Sequence, residues 1–200
     1  MTRAAVRAAI IALLALLPTF AVYAHPHVFI DCTAGVTFSG DSVSGLHFEW
    51  VFDELFSQMI VADFDRAGKG YFTPAEAVAL RKGAFDNLKN YHYFLAIFVD
   101  GARKPLPGIA NFKPSIRNGK LVYDFDVPLA ISVPPSGREI RVTVYDDTYY
   151  TAFDKMSPGD VSVPEDDSIV ATVSIEKTKA KAEWPGQWMP DQIVLRLKRK

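Results

Sequence analysis

The segment with the greatest chemical potential is His25-Pro26-His27, which places two imidazoles within three residues. If the chain is processed after Ala24, His25 becomes the amino terminus. Its α-amine and ring nitrogen then form a bidentate clamp suited to copper, nickel or zinc, and His27 adds a third nitrogen. The square-planar chelate of a terminal motif with histidine in third place is excluded, because it deprotonates the second amide and Pro26 has no amide hydrogen. The alternative reading of these residues is a solvated, frayed terminus. A hairpin turn centred on Gly40-Asp41 makes paired residues sum to about 80 or 81. That register sets His27 opposite Asp53 or Glu54 and brings a carboxylate to the imidazoles. The candidate metal ligands are therefore His25, His27, Asp53 and Glu54. His47 lies roughly 20 Å along the sheet and is a poor partner for this site.

A second candidate is the twelve-residue stretch Asp65 to Glu76. It matches a calcium-binding EF-hand loop at its first position (Asp65), its sixth (Gly70) and its twelfth (Glu76). Ala67 and Lys69 occupy the third and fifth positions, which removes two oxygen ligands and adds a positive charge where calcium would sit. The loop reads as an EF-hand-shaped connection that has lost tight calcium binding, so calcium is not an expected cofactor. A third cluster, Tyr145-Asp146-Asp147-Thr148-Tyr149-Tyr150, sets two adjacent carboxylates among aromatic rings at a strand corner. Asp146, Asp147 and Tyr149 are candidates for holding a partner; the competing reading is a turn capped by its own aspartates. Cys32 is the only cysteine and cannot form an internal disulfide, so it reads as a small buried hydrophobe on a strand. His92, among Tyr91, Tyr93 and Phe94, reads as structural or surface-lying. No nucleophile elbow, phosphate-cradling glycine loop, H-E-x-x-H pair or cysteine-based zinc knuckle occurs, and no enzymatic activity is expected.

The first 24 residues give the terminal histidines their context. Arg3 and Arg7 supply a positive start, Ala8 to Leu17 an apolar run, and Val22-Tyr23-Ala24 a cleavage site, as in a secretory signal peptide. The apolar run is shorter than the roughly 20 residues that span a bilayer as a helix. Export to the periplasm is the expectation, with a single domain over residues 25–200 that does not span the membrane. The full chain has 22 basic and 23 acidic residues; removal of Arg3 and Arg7 with the signal leaves 20 against 23, a net charge near −3. Such a balance lacks the clustered positive charge that nucleic-acid binding requires, and nucleic acid is not an expected partner.

The elements that must position these residues follow from hydrophobic periodicity. Residues 27–38 and 43–52 alternate as strands about the Ser39-Gly40-Asp41-Ser42 turn, with Leu46, Phe48, Trp50 and Phe52 on one face. The period then changes to helical over 53–62 and 74–90, with Pro74 suited to a first helical turn. Strands resume at 92–99, about 108–115, 120–128, 138–146, 149–153, 168–176 and 192–198. The predicted class is α+β: a mostly antiparallel, sandwich-like β domain interrupted at about 53–90 by one EF-hand-like helical hairpin.

Taken together, several segments resemble the bacterial domain-of-unknown-function family 1007. They are Ala24-His25-Pro26-His27-Val28-Phe29, Trp50-Val51-Phe52-Asp53-Glu54-Leu55-Phe56, the loop from Gly70 to Glu76, Asn87-Leu88-Lys89-Asn90-Tyr91-His92-Tyr93-Phe94, and Val144 to Tyr150. Members of that family are commonly described as periplasmic components of an uncharacterised ABC-type transport system. The resemblance implies an exported accessory protein associated with a nickel or cobalt permease, and it identifies no ligand residue. Two functions are expected from this reading. One is a periplasmic accessory that binds a transition metal and hands it to a membrane metal transporter. The other is a non-enzymatic interaction module that docks on such a transporter.

Overall fold

The computed structural model describes residues 27–178 and 189–200. Two sheets account for most of it. The first runs in the order β5 (Ala110–Arg117), β6 (Lys120–Ser132), β2 (Ser42–Phe52), β1 (Val28–Ser39), β8 (Thr151–Phe153), with β9 (Val161–Ser162) also paired to β1. The second runs β10 (Ile169–Lys177), β11 (Asp191–Arg199), β7 (Arg138–Val144), β3 (Leu95–Val99), β4 (Ala102–Lys104). All pairings are antiparallel except those of β8 and β9 with β1. The α+β, mostly antiparallel architecture read from the sequence is the architecture observed.

Alternation along the strands explains the layers. On β1, Val28, Ile30, Cys32, Ala34 and Val36 are buried while Phe29, Asp31 and Thr33 face outward. On β2, Leu46, Phe48, Trp50 and Phe52 point inward as expected. These side chains share one core with Leu95 and Ile97 of β3, Ile140 and Val142 of β7, and Ile193 and Leu195 of β11. Side chains buried to this degree each stabilise the fold by about 1.5–3 kcal/mol relative to exposure.

The helical hairpin sits between β2 and β3. Helix α1 (Glu54–Phe64) starts at Asp53, whose side chain caps the Phe56 N–H. Helix α2 (Pro74–Leu80) starts at Thr73 in a reciprocal cap with Glu76. Residues 74–90, expected as one helix, are helical throughout but α-helical only as far as Leu80. After Leu80 the coil widens into a π turn over Arg81–Phe85 and tightens into a 3-10 segment over Asp86–Phe94. Packing supplies the reason. Leu80 and Phe85 are both fully buried, yet five residues of regular α-helix would turn them about 140° apart. The wider turn returns both to the core side.

Two further expectations are corrected. The strand expected at 92–99 begins at Leu95, because His92, Tyr93 and Phe94 take left-handed φ values of +53°, +52° and +56°. The β1–β2 register also differs. At the turn, Ser39 pairs with Ser42 and Phe38 with Val43, as the arithmetic required. A bulge then leaves Ser44 unpaired, Thr37 meets Gly45, and the register continues to Ile30 opposite Phe52. Gly45 suits this crowded place, since a Cβ there would lie 3.0 Å from Thr37 Oγ1 and 3.1 Å from the Val127 carbonyl oxygen. The slip of one residue sets Asp53 beside Phe29, where the expected register placed Asp53 or Glu54 opposite His27, and so moves both carboxylates off His27.

Candidate functional site

Where the hairpin meets the first sheet there is a groove of about 270 Å³. Its walls come from four distant parts of the chain. Val28 and Ile30 of β1, with Trp50 and Phe52 of β2, form the floor. Phe56 of α1, with Ala84 and Leu88 beyond α2, makes one wall; Tyr91 and Phe94 make another. The corner Asp146, Thr148, Tyr150 and Thr151 closes the rim. Aromatic packing holds these walls in place: Phe52 contacts Phe56 (ring centroids 5.0 Å apart) and Tyr123 (4.7 Å), and Trp50 stacks on Phe94 (6.1 Å).

Strain collects at this groove. The three consecutive left-handed residues His92, Tyr93 and Phe94 are non-glycine positions, each costing on the order of 1–3 kcal/mol unless its surroundings enforce it. Here they do. The Phe94 carbonyl accepts from Tyr145 N–H at 2.8 Å, the Phe94 ring packs on Trp50 and Phe153, and Tyr93 packs on Phe85. The left-handed turn carries the chain off the helical segment and presents Phe94 to the groove instead of to a strand face. Tyr149 is also left-handed, at +59°.

The corner residues divide by role. Asp146 is buried, with 7% of its surface exposed. Its Oδ1 accepts from the Thr148 N–H (2.9 Å) and hydroxyl (2.7 Å), and its Oδ2 from the Thr151 N–H (2.9 Å). It is a turn cap. Asp147 is exposed and Tyr149 half-buried. Tyr150, exposed and lining the groove, packs its ring against His27 at a centroid distance of 5.1 Å, and its carbonyl accepts from the His27 N–H at 2.8 Å. The sequence reading passed over Tyr150, and over Trp50, Phe56, Leu88, Tyr91 and Phe94. All lie in the motifs already singled out, but an aromatic in a strand pattern reads the same whether it fills a core or walls a groove.

Of the expected metal ligands, His25 lies outside the described residues and His27 packs against Tyr150, a lining residue of the groove. Asp53 is occupied by its own backbone: Oδ1 caps Phe56 N–H at 2.9 Å and Oδ2 accepts from Phe29 N–H at 2.8 Å. Glu54 accepts from Gln58 on the exposed face of α1. Among the described residues no three His, Cys, Asp or Glu side chains gather in a geometry for a metal ion. Asp53 would have to release a helix cap to serve as a ligand. His47 lies on the outward face opposite Gly35, where its Nδ1 meets Asp126 Oδ1 at 2.8 Å and its Nε2 is 3.4 Å from Asp124. Burial pushes the Cys32 thiol up to about 12, so it stays protonated and inert. Among the described residues no helix is long and apolar enough to cross a membrane.

Fold and site define a class: two-sheet α+β proteins with a helical hairpin inserted after the first strand pair and an aromatic groove where the hairpin meets the sheet. The family profile described as "Protein of unknown function (DUF1007)" matches residues 10–183, and this chain belongs to that family. It is similar to an "Uncharacterized 15.5 kDa protein in trpE 3'region" of Spirochaeta aurantia, with 30% identity over 131 residues, covering 66% of this chain and 93% of that protein. It is also similar to an "Uncharacterized protein" of Haemophilus influenzae, with 31% identity over 142 residues, covering 70% of this chain and 67% of the relative.

Proposed function

We propose that this protein is an exported, non-enzymatic accessory of a membrane transport system, and that it holds its partner in the aromatic groove. The occupant is an apolar side-chain cluster on an exported loop of the membrane transporter. One observation carries this reading: segments around residues 28, 50–56, 84–94 and 146–151, far apart in the chain, converge on a single lined groove. The lining is aromatic and aliphatic, and its one carboxylate, Asp146, is already saturated by backbone donors and Thr148. A polar metabolite would need several convergent polar groups to orient it; an apolar peptide surface needs the kind of lining present.

The experiment is photocrosslinking in cells from a probe installed at Tyr150. The expected result is a crosslink to an integral-membrane transport protein that disappears when the groove is plugged by Ala84→Trp, with thermal unfolding unchanged. Crosslinks that are indifferent to the plug would refute the groove as the docking site.

Metal hand-over is the second reading, favoured by the position of His27: its backbone is pinned to Tyr150 and its ring packed there, beside a residue that lines the groove. In this reading His25 and His27, with the terminal amine, hold a transition metal, and the committed Asp53 and the exposed Glu54 take no part. Imidazoles must be neutral to ligate, so affinity should fall below about pH 6. Calorimetric titration of processed protein against a form with an N-terminal extension tests it. Equal affinity in both would remove the amine–His25 clamp.

A further inference from the structure

The loop joining α1 to α2 keeps the frame of a calcium loop, with an acid first, a glycine sixth and an acid twelfth. Its two end carboxylates converge on one group. The Lys69 ammonium donates to Asp65 Oδ1 at 2.7 Å and to Glu76 Oε1 at 2.9 Å. Every remaining carboxylate oxygen is engaged by the loop itself. Asp65 Oδ1 also accepts from the Lys69 N–H at 3.1 Å, and Oδ2 accepts from the Gly70 N–H at 2.7 Å. Glu76 Oε2 accepts from the Thr73 N–H and hydroxyl, both at 2.8 Å. The Asp65 side chain is wholly enclosed, and the ammonium lies 5.8 Å from the centroid of the Tyr71 ring. Gly70, at φ +77°, makes the turn that wraps the loop around this charge.

We infer that Lys69 is the resident cation of this loop: a tethered ammonium at the fifth position bridges the first and twelfth carboxylates as a bound calcium ion would, and closes the helical hairpin without metal. The charges respond to one another as this requires. The Lys69 hydrogen bond holds the carboxyls of Asp65 and Glu76 below their ordinary range, and Asp65 in turn raises the Lys69 ammonium. Calcium takes 6–8 oxygen ligands at such sites. Ala67 offers none at the third position, and Lys69 offers a positive charge at the fifth. An incoming ion would therefore have to displace a group that is covalently attached and already in place. The closed hairpin in turn sets Phe56 on α1 and Leu88 beyond α2, so one wall of the groove holds its shape at any calcium level. This inference is independent of what the groove binds.

Calcium titration followed by calorimetry and thermal unfolding tests it on three proteins. The wild type is expected to show no binding below about 1 mM, the weak end of the range for such loops, and no shift in Tm. The Ala67→Asp/Lys69→Asp variant is expected to melt lower without calcium and to recover as calcium binds with Kd below about 1 mM. Lys69→Met is expected to speed hydrogen exchange of the Gly70 amide. Wild-type binding below about 1 mM would overturn the inference, as would a folded double variant that ignores calcium. Should the double variant not fold at all, the Lys69→Met protein decides: Gly70 exchange and Tm equal to wild type would refute the bridge.

Discussion

Replacing Asp146 separates a docking residue from a turn cap. The carboxylate is 7% exposed and accepts three hydrogen bonds. In Asp146→Ala, the Thr148 N–H and hydroxyl can turn to water, because Thr148 is exposed. Thr151 cannot do so as easily: it is 8% exposed, and its N–H would be left as a buried, unpaired donor. An orphan of that kind costs about 1–3 kcal/mol, and loss of the Thr148 bonds adds about 1 kcal/mol. Removing a buried carboxylate returns part of its desolvation cost. The net expectation is a loss of about 2–3 kcal/mol, which for a domain of this size lowers Tm by roughly 4–12 °C. Asp146→Asn keeps one acceptor but presents an amide donor where the other acceptor stood, so its loss should be smaller, about 1–2 kcal/mol. Urea unfolding followed by tryptophan fluorescence measures both. An Asp146→Ala protein within about 0.5 kcal/mol of wild type that nonetheless loses the partner crosslink would refute the capping role and make Asp146 a contact residue.

Three other outcomes are expected. Asp53→Ala should cost about 1–2 kcal/mol through loss of the α1 cap, whereas Asp53→Asn should retain most of it; equal losses in urea unfolding would count against capping. Glu176, held by Arg196 and Arg141, has its carboxyl lowered from 4.5 to about 2. A depressed carboxyl contributes stability that is complete above its unfolded value and is lost as protons bind. Unfolding midpoints should therefore fall between pH 4.5 and pH 2 in the wild type and less steeply in Glu176→Gln; parallel pH curves would contradict the assignment. Cys32, buried with its thiol raised to about 12, should resist aromatic disulfide reagents in the folded protein and react at once in urea; fast labelling of native protein would show the thiol to be accessible.

Much of the fold was legible in the sequence because it depends on local patterns. The alternation of Leu46, Phe48, Trp50 and Phe52 placed β2 and its inward face, and Gly40-Asp41 placed the first turn. Asp53 and Thr73 mark helix starts whatever the rest of the chain does, since an N-cap needs only its own side chain and the next turn. The charge at Lys69 signalled a changed calcium loop before any distance was known. The misplaced features are those where distant parts meet. A one-residue bulge at Ser44 is invisible to strand arithmetic, yet it moved Asp53 to Phe29. The left-handed run at His92 to Phe94 overrode a strong strand pattern, because Trp50, Phe153 and Tyr145 hold it there.

Sequence alone therefore singled out the candidates for chemistry: the histidines at 25 and 27, the acidic ends of the 65–76 loop with a lysine between them, and the paired aspartates at 146 and 147. It also determined the elements, since periodicity and caps act within a few residues. Tertiary structure alone decided which of these groups are committed and which face a common space. Asp53 and Asp146 are taken up by backbone donors, while aromatic residues that read as core become the walls of one groove. The physical reason is that a carboxylate's role depends on which donors reach it, and an aromatic's role on what packs across from it. For Asp146 those donors lie within its own turn and for Asp53 they include Phe29 on the neighbouring strand, whereas the aromatic contacts join segments as far apart as Trp50 and Phe153, brought together only when the sheets close.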